Sequence, residues 1–436
     1  MGAGRRIVFS RRDANEPLSC APSAPQARKL PVPRSDSLAV AVLLTALVAF
    51  GPISTDLYLP SLPAMTRALA TDVATMQLTL SVFLVGFSVS QLIYGPLSDR
   101  FGRRPVLLAG VAIYVVAGIA CALAPTVEAL IVGRFFQALG ACAGPVVARA
   151  VVRDVHGRAR SARVLAYMAM AMSLAPAIGP ILGGHVEVWF GWRANLWLLV
   201  GFGAAALAAT WTLLAETNRH RDPLATSPAR LVRNYRLLLG DPGYLGFLLV
   251  VAFTYSGIFA FISGSSFVFV DLVGLGPVAY GFCFAGAVVG YMAGSFLSGR
   301  LTLRLGIERM VGAGTLLSAL GGAAMLACAL AFPPGVVPIL APFFVFMVGA
   351  GLVLPNATAG AIGPFPTMAG FASALLGFVQ MGVAARVGVA VGHLTDASAV
   401  PMAAAVAAVS LAAAIAFRVL VPPAEFVERN AGHSPG

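Results

Sequence analysis

The sequence predicts an all-α polytopic membrane protein with twelve transmembrane helices in two pseudo-symmetric bundles of six. Hydrophobic residues make up 59% of the 436 residues and charged residues only 11%. Uncharged apolar stretches recur along most of the chain, and each is about as long as a helix that crosses a bilayer. The formal net charge of +12 comes from the connecting loops. The chain is therefore expected in a lipid bilayer, with no nucleic-acid partner.

A polar segment at residues 216–242 divides the predicted spans into two groups of six. We predict a disordered basic cytoplasmic tail at 1–36, an N-terminal bundle at 37–215, a cytoplasmic linker at 216–242, a C-terminal bundle at 243–421 and a cytoplasmic tail at 422–436. The predicted helices cover 38–62, 76–94, 106–124, 127–151, 164–184, 195–214, 244–270, 280–297, 310–331, 337–357, 371–394 and 400–421.

The positions of the basic residues predict the orientation. With the N-terminus in the cytoplasm, 25 of the 29 Lys and Arg residues fall on the cytoplasmic side. Only Arg67 and Arg193 lie on the other side, and Arg134 and Arg386 lie within spans. Cytoplasmic loops of membrane proteins carry an excess of Lys and Arg, so both termini are predicted to be cytoplasmic.

Residues 95–105 form the most specific motif of the chain. They read Gly-Pro-Leu-Ser-Asp-Arg-Phe-Gly-Arg-Arg-Pro and join two uncharged spans. Glycine permits a sharp reversal of the backbone, and Pro105 suits the first turn of a helix. A basic connector of this kind could serve only to fix the orientation, but the whole pattern closely resembles the signature loop of the major facilitator superfamily. The predicted cytoplasmic gate consists of Gly95, Asp99, Arg100, Gly102, Arg103 and Arg104.

The two halves of the chain echo each other. Residues 97–100 read Leu-Ser-Asp-Arg and residues 297–300 read Leu-Ser-Gly-Arg, at the same point of each six-helix half. Parallel repeats of this kind are typical of transporters that alternate access to a site between the halves near the middle of the membrane. In the second copy, Gly299 stands where the first copy has an acid.

Two charges inside the membrane form the predicted proton-coupling site. Asp56 is the one acid of 17 that we place deep in a span, about 9 Å below the outer end of the first helix. Arg134 lies about 10 Å below the same surface in the fourth. A nearby arginine favours the charged carboxylate and desolvation favours the protonated one, so a change of conformation could load and release a proton. The alternatives are a static ion pair that fixes helix packing and an Asp56 that lies at a hydrated helix end.

The predicted fifth helix contains a kink motif. Residues 175–184 read Ala-Pro-Ala-Ile-Gly-Pro-Ile-Leu-Gly-Gly. A proline inside a helix removes a hydrogen-bond donor and bends the helix, and glycines permit tight packing. A purely structural kink is the alternative, but the pattern resembles the motif associated with proton-coupled antiporters of the superfamily. Its residues are Gly179, Pro180, Gly183 and Gly184.

Further stretches resemble the bicyclomycin- and chloramphenicol-resistance branch of the superfamily. They are residues 55–63, 91–99, 257–263 and 365–370, and the likeness extends from about residue 38 to residue 421. It implies a drug/proton antiporter of the bacterial inner membrane, acting as a monomer. In this fold helices 1, 4, 7 and 10 line the cavity. The candidate substrate contacts on them are Tyr58, Gln137, Tyr255, Phe259 and Asn356.

The sequence predicts no cofactor and no metal. It contains no G-x-x-x-x-G-K-[ST] motif for ATP, so the proton motive force is the expected energy source. None of its five cysteines is in a CxxC pair, and its histidines are scattered singly.

Two other functions stay open at this point. The substrate could be an endogenous metabolite, such as an amino-acid derivative, a dipeptide or a sugar, because pocket shape is not visible in a sequence. A non-transporting membrane sensor on the same scaffold is the third possibility, although a sensor needs no proton carrier.

Overall fold

The computed structural model describes residues 38–155, 158–218, 221–394 and 398–421. The predicted tails at 1–36 and 422–436 lie outside the described residues. The part of the chain that the structure describes consists of helices joined by loops and contains no β-strand. Its α-helices are α1 Leu38–Val48, α2 Phe50–Asp56, α3 Leu62–Ala68, α4 Val73–Phe101, α5 Arg103–Ala122, α6 Val127–Val155, α7 Arg158–Phe190, α8 Trp192–Leu213, α9 Pro228–Leu239, α10 Pro242–Phe267, α11 Pro277–Leu305, α12 Ile307–Ala331, α13 Val336–Ile362, α14 Ala369–Leu394 and α15 Val400–Leu420.

The predicted fold class is confirmed. Ten of the described helices are long and apolar enough to cross a membrane, and the bent pair formed by Leu38–Val48 and Phe50–Ala68 makes an eleventh. The 33-residue helix α7 covers the predicted fifth span. Apolar side chains from both halves meet in one continuous core, as in other helical bundles.

The prediction of one continuous first helix is wrong, because the helix is broken twice. The chain bends by 49° between α1 and the following helices, and α2 ends at Asp56. A short 3-10 turn at Leu59–Ser61 then leads into α3. Pro52 has no N–H to donate to the preceding turn, and Pro60 is the second residue of the 3-10 turn, so prolines account for both breaks. Asp56 therefore lies at a helix end between the two halves of the chain.

The signature segment is mostly helical, which corrects the role predicted for Gly95. Helix α4 continues to Phe101, so Gly95 lies inside it, and a Cβ atom added there would meet nothing within 4 Å. The reversal occurs at Gly102 alone, where φ is +105°. Only glycine adopts this conformation without strain. We call the end of the bundle at Gly102 the signature end, and the opposite end, where α3 meets α4, the far end.

The halves meet along two pairs of helices. Helix α4 packs against α14, where the Ser88 hydroxyl donates a hydrogen bond to the Phe378 carbonyl at 2.8 Å. Helix α7 packs against α11, where the Pro180 carbonyl lies against Gly281. Each contact joins the N-terminal to the C-terminal half, so a cavity between the halves is bounded by these two seams.

The linker contains a helix that the sequence analysis did not predict. Helix α9 turns Leu238 into the apolar cluster at the signature end of the C-terminal half. The ring of Tyr235 packs edge-on against Phe371 of α14, with centroids 5.8 Å apart. The helix is amphipathic, since Arg230, Arg233 and Arg236 are on its exposed side. A helix of 12 residues with one polar side is too short and too polar to be predicted as a membrane span, so the sequence analysis treated this segment as a loop.

Candidate functional site

A cavity of about 350 Å³ opens at the signature end between the two halves. The N-terminal half contributes Gln91 of α4 and Arg149 and Arg153 of α6. The linker contributes Tyr235, and α14 contributes Phe371. Small-molecule sites occupy volumes of this size, and sites of this kind combine apolar walls with a few polar groups.

The far end is closed by contacts between the halves. Arg67 of α3 forms an ion pair with Asp271 at 3.1 Å. The Ser266 hydroxyl donates to the Leu59 carbonyl at 2.6 Å, and the Ser263 hydroxyl donates to the Gln77 side chain at 3.1 Å. Access to the space between the halves is therefore from the signature end.

Asp56 is buried between the halves, with 2% of its surface exposed. Its carboxylate accepts a hydrogen bond from the Thr55 hydroxyl at 3.0 Å. From the other half, Tyr255 of α10 and Tyr280 of α11 lie near it. The carboxyl group thus ends a broken helix and faces the opposite bundle, which is where discontinuous helices of transporters place their ion sites.

Arg134 is fully buried, but within the N-terminal half. Its guanidinium donates to the Ser54 carbonyl at 2.9 Å and to the Gln137 side chain at 2.7 Å. The rings of Tyr58 and Phe83 lie over it, with centroids 4.5 and 4.3 Å away. Cation–π contacts of this kind are strongest in desolvated sites.

Arg134 and Asp56 are at the same level but are not paired. Ser54, which accepts from Arg134, lies two residues before Asp56 on α2, so the arginine holds the backbone that carries the acid. The four ion pairs found among the described residues do not include Asp56 or Arg134. The static ion pair considered as an alternative is therefore not formed in this structure.

The glycine motif of α7 packs against the broken first helix. A Cβ atom added at Gly183 would collide with the Leu57 carbonyl oxygen, and one at Gly179 would lie 3.3 Å from the Asp56 Cβ. A Cβ at Gly184 would approach the Pro277 carbonyl of α11 to 2.6 Å. The motif thus joins the acidic residue of one half to a helix of the other.

The five predicted substrate contacts do not line the cavity at the signature end. Tyr58 and Gln137 surround Arg134 in the N-terminal half. Phe259 is buried at 1% exposure against α14, and Tyr255 is half-buried near Asp56. These four lie near the middle of the helices, on the closed side of the cavity.

Asn356 corrects the prediction for the tenth span. Its amide group donates to the Ser298 hydroxyl at 2.7 Å, and its oxygen accepts from the Thr302 hydroxyl at 2.8 Å. The side chain is 4% exposed. These bonds join α13 to α11 inside the C-terminal half, so Asn356 is a helix-packing residue in this structure.

The signature residues form a network within the N-terminal half. The Arg103 guanidinium bonds Asp99 on α4 and, at 2.9 Å, Asp154 at the end of α6. It also donates to the Ser98 hydroxyl at 2.7 Å. Arg103 is 9% exposed, so one largely buried cation ties together the ends of three helices.

The remaining predicted gate residues bind the linker and the end of α8. The Arg100 guanidinium donates to the Thr226 hydroxyl at 2.6 Å. Arg104 donates to the Trp211 carbonyl at 2.8 Å, and its guanidinium lies 5.4 Å from the ring centroid of Trp211. The predicted gate residues therefore connect α4, α5, α6, α8 and the linker.

Glu216 completes this network and was missed by the sequence analysis. Its carboxylate accepts from the backbone amides of Arg103 and Arg104 at 2.9 and 3.2 Å. A carboxylate at a helix N-terminus satisfies free amides and interacts favourably with the helix dipole. A Cβ atom at Gly102 would collide with the Glu216 carboxylate. This is a second reason, besides the positive φ, for a glycine at this position. More than a hundred residues separate these partners, so the local pattern carried no signal.

The bundle and the cavity between its halves define a polytopic helical transporter. A family model described as Major Facilitator Superfamily matches residues 41–388, and the chain belongs to that superfamily. The predicted resemblance to the resistance branch is also confirmed, as three relatives show.

The relatives are similar over most of their length. Multidrug resistance protein D of Escherichia coli (strain K12) is 30% identical over 80% of this chain and 86% of that protein. The chloramphenicol resistance protein of Pseudomonas aeruginosa is 32% identical over 79% and 82%. A bicyclomycin resistance protein homolog of Haemophilus influenzae is 29% identical over 80% and 88%. Among solved structures, a D-xylose-proton symporter superposes with a TM-score of 0.69 at 15% identity, covering 88% of this chain and 98% of that one, and it supports the fold alone.

Proposed function

We propose that the protein is a proton-coupled antiporter that exports amphipathic organic compounds, similar to bicyclomycin or chloramphenicol, across the bacterial inner membrane. The single observation that carries the proposal is Asp56, an acid buried between the halves at a broken helix, beneath the antiporter glycine motif. The resistance relatives support the substrate class. The protein acts as a monomer and uses the proton motive force without a bound cofactor.

The burial of Asp56 supports its role as the proton carrier. An isolated ionised carboxylate away from water is costly, so such a group neutralises by binding a proton. Arg134 holds the α2 backbone two residues away, and movement of α2 changes the distance between the two charges. Approach of the guanidinium releases the proton, and separation allows it to bind again.

The positive-inside pattern supports a signature end that faces the cytoplasm, with both termini on that side. The cavity then opens to the cytoplasm while the Arg67–Asp271 pair closes the far end. This is the state in which an exporter takes up its substrate. Opening of the far end breaks the Arg67–Asp271 pair and the α7–α11 seam.

The first experiment exchanges the proposed proton carrier. Asp56→Asn mimics the protonated acid, so it is expected to bind drug but to release no proton on binding and to fail to export against a gradient. Proton release is measured with a pH dye in weak buffer on purified protein, and export in reconstituted vesicles. Arg134→Lys keeps the charge but loses the planar fork, so partial activity is expected.

Asp241→Asn is the matched control. Asp241 caps α10 through the Tyr244 amide at 2.7 Å, and asparagine caps a helix about as well as aspartate. Proton release and pumping by Asp56→Asn at the wild-type level would place the carrier elsewhere.

The second experiment tests the glycine motif. Pro180→Ala combined with Gly179→Leu places a branched side chain on Asp56 and relaxes the kink, so export is expected to stop or to lose its coupling to protons. Surface expression and membrane insertion are measured in parallel. Unchanged, tightly coupled transport would leave the motif with a packing role only.

A compound panel in a strain that lacks its own pumps separates drug export from metabolite export. Resistance to bicyclomycin or chloramphenicol is expected from the wild-type protein. Export of dipeptides, amino-acid derivatives or sugars with no drug resistance would favour an endogenous substrate instead.

A further inference from the structure

We infer that Arg149 and Arg153 form an anion subsite in the cavity at the signature end, and that this subsite favours organic anions over neutral compounds and lipophilic cations. The inference rests on the proposed export function only for its role in transport. The binding preference itself follows from the charges that line the cavity.

The two arginines lie on one face of α6. Val146, Arg149, Ala150 and Arg153 all line the cavity, and their spacing of three, four and seven residues places them on one side of a helix. Both arginine side chains are exposed, and the space in front of them is the cavity. Their guanidinium groups are therefore presented one helical turn apart to a bound molecule.

The other charged groups of the cavity are neutralised. Arg103 bonds Asp99 and Asp154, and Arg230 bonds Asp222. The Arg149 Nε donates to the Pro145 carbonyl at 2.8 Å, which leaves its two terminal amino groups. Among the described residues, neither Arg149 nor Arg153 takes part in an ion pair. The residues that line the cavity include four arginines and two aspartates, an excess of two positive charges, which Asp154 beside Arg103 reduces to one.

This arrangement is unfavourable without an anion. Like charges four residues apart destabilise a helix. Guanidinium groups bind carboxylate, phosphate and sulfonate groups through parallel hydrogen bonds. An anionic substrate group thus supplies what the two side chains lack.

The remaining walls fit an organic molecule. The rings of Tyr235 and Phe371, packed edge to face, offer apolar surface, and Gln91 offers an amide. The volume of about 350 Å³ is within the range of small-molecule sites. A molecule with a ring system and one acidic group meets all of these surfaces, whereas a lipophilic cation meets the two positive charges.

Export of an anion also agrees with the energetics of the membrane. The cell interior is electrically negative, so outward movement of a negative charge is favourable. When one anion leaves and one proton enters, the membrane potential favours both movements. A cation exported in the same exchange would gain nothing from the potential.

The test compares two probes that differ in charge. Binding of chloramphenicol and of its hemisuccinate ester to the full-length protein in detergent is measured by calorimetry at neutral pH. The anionic ester is expected to bind about tenfold more tightly, since hydrogen bonds to charged groups are the stronger ones. Inorganic phosphate is expected to compete with the ester and not with the neutral drug. Salt should weaken only the binding of the ester.

Two variants locate the effect. Arg149→Gln and Arg153→Gln are each expected to reduce the preference for the ester several-fold, measured as the ratio of its affinity to that of chloramphenicol for the same variant. Arg309→Gln is the matched control, because Arg309 is an exposed arginine at the signature end that does not line the cavity. If Arg149→Gln loses both probes through misfolding, Arg153→Gln decides, since no described bond holds that side chain.

Equal affinity of wild-type protein for both probes would overturn the subsite, as would a preference that survives both variants. Binding is measured without a proton gradient, so this outcome is independent of proton coupling. If the protein prefers the anionic ester but does not exchange protons, the subsite is supported and the antiport mechanism is rejected.

Discussion

Two turns of the molecule have the same backbone conformation but differ in the side chains around them: the turn between α4 and α5 and the turn between α11 and α12. Gly102 has φ +105° and Gly306 has φ +84°. Each glycine ends one helix and begins the next, and each donates its amide to the residue four before it, at 3.2 Å to Ser98 and 2.9 Å to Thr302. The internal repeat therefore extends to the reversal of the chain, which has the same backbone conformation in both halves.

The groups around the two turns are of different kinds. At Gly102 the Glu216 carboxylate caps α5, and Arg103 bonds two acids. At Gly306 a Cβ atom would meet nothing within 4 Å, and near this turn the neutral side chain of Asn356 joins α13 to α11.

The difference between the two turns indicates which of them can respond to a change of conformation. Charged networks respond to the loss of one partner or to movement of a helix end, while neutral hydrogen bonds within one half change little. The linker leaves α8 directly beside the first turn and brings Glu216 and Asn218 onto it. We therefore expect the N-terminal turn to respond to conformation and the C-terminal turn to act as a fixed joint.

The largest expected effect comes from adding a methyl group at each turn. Gly306→Ala is expected to destabilise by about 1 kcal/mol through its positive φ alone. Gly102→Ala is expected to cost about 2–3 kcal/mol, because it also displaces the Glu216 carboxylate from two amides. Unfolding of both variants in the same detergent measures the difference. Equal destabilisation would show that the Glu216 cap contributes nothing and that the two turns are alike.

The next effect comes from the two joining side chains. Arg103→Gln leaves the Asp99 and Asp154 carboxylates without a cation, and a loss of about 2 kcal/mol is expected, reduced by the partial exposure of both acids. Asn356→Ala is expected to cost about 1 kcal/mol. Added salt distinguishes the two variants. It should reduce the loss of unfolding free energy caused by Arg103→Gln and leave the loss caused by Asn356→Ala unchanged. The same salt response in both variants would contradict the division into a charged and a neutral joint.

A smaller change in stability, with a change in conformation, is expected from Asp99→Asn. The variant keeps a hydrogen-bond acceptor but weakens the ion pair with Arg103, so the balance of conformers should shift while the fold is retained. Spin labels replace Thr212 and Leu303, two exposed residues at the signature end of opposite halves, in a cysteine-free background. Identical distance distributions in wild type and variant would show that the signature network does not control the gate.

The smallest effect is expected at two helix caps away from the turns. Asp72 caps α4 through the Thr75 amide and hydroxyl, both at 2.8 Å, and Asp241 caps α10. Replacement of either by alanine should cost about 1 kcal/mol, which tests whether ordinary caps behave alike in the two halves. A large difference between them would mean that the halves differ in general stability and not only at their turns.

The Asp72 cap also has a predictable pH dependence. Its bonds to Thr75 hold the pKa of the carboxyl group below its usual range. Its contribution is therefore fully present above about pH 4, the usual value for aspartate, and is lost as the pH falls through the lowered pKa. Asp72→Asn keeps the cap without the titration, so wild type should approach this variant in stability only in acid. A difference that stays constant from neutral to acid pH would contradict this role.

Much of the fold could be predicted because the signals are local. A run of apolar residues about as long as the bilayer is thick specifies a spanning helix without reference to any other part of the chain. The glycine that must adopt a positive φ at position 102, and the glycines of α7 that contact the first helix, were visible for the same reason. The bends of the first helix were not predicted, although Pro52 and Pro60 mark both of them.

The sequence by itself determined the helical membrane fold, the two repeated halves and the membership of the superfamily, since hydrophobic length and motif order are properties of the chain alone. Tertiary structure decided which way each polar side chain faces. Asp56 faces the opposite half and not Arg134, Asn356 joins two helices and does not line the cavity, and Arg149 with Arg153 faces the open space. The physical reason is that the rotation of a helix about its axis is set by the partners it packs against, and those partners come from distant parts of the chain.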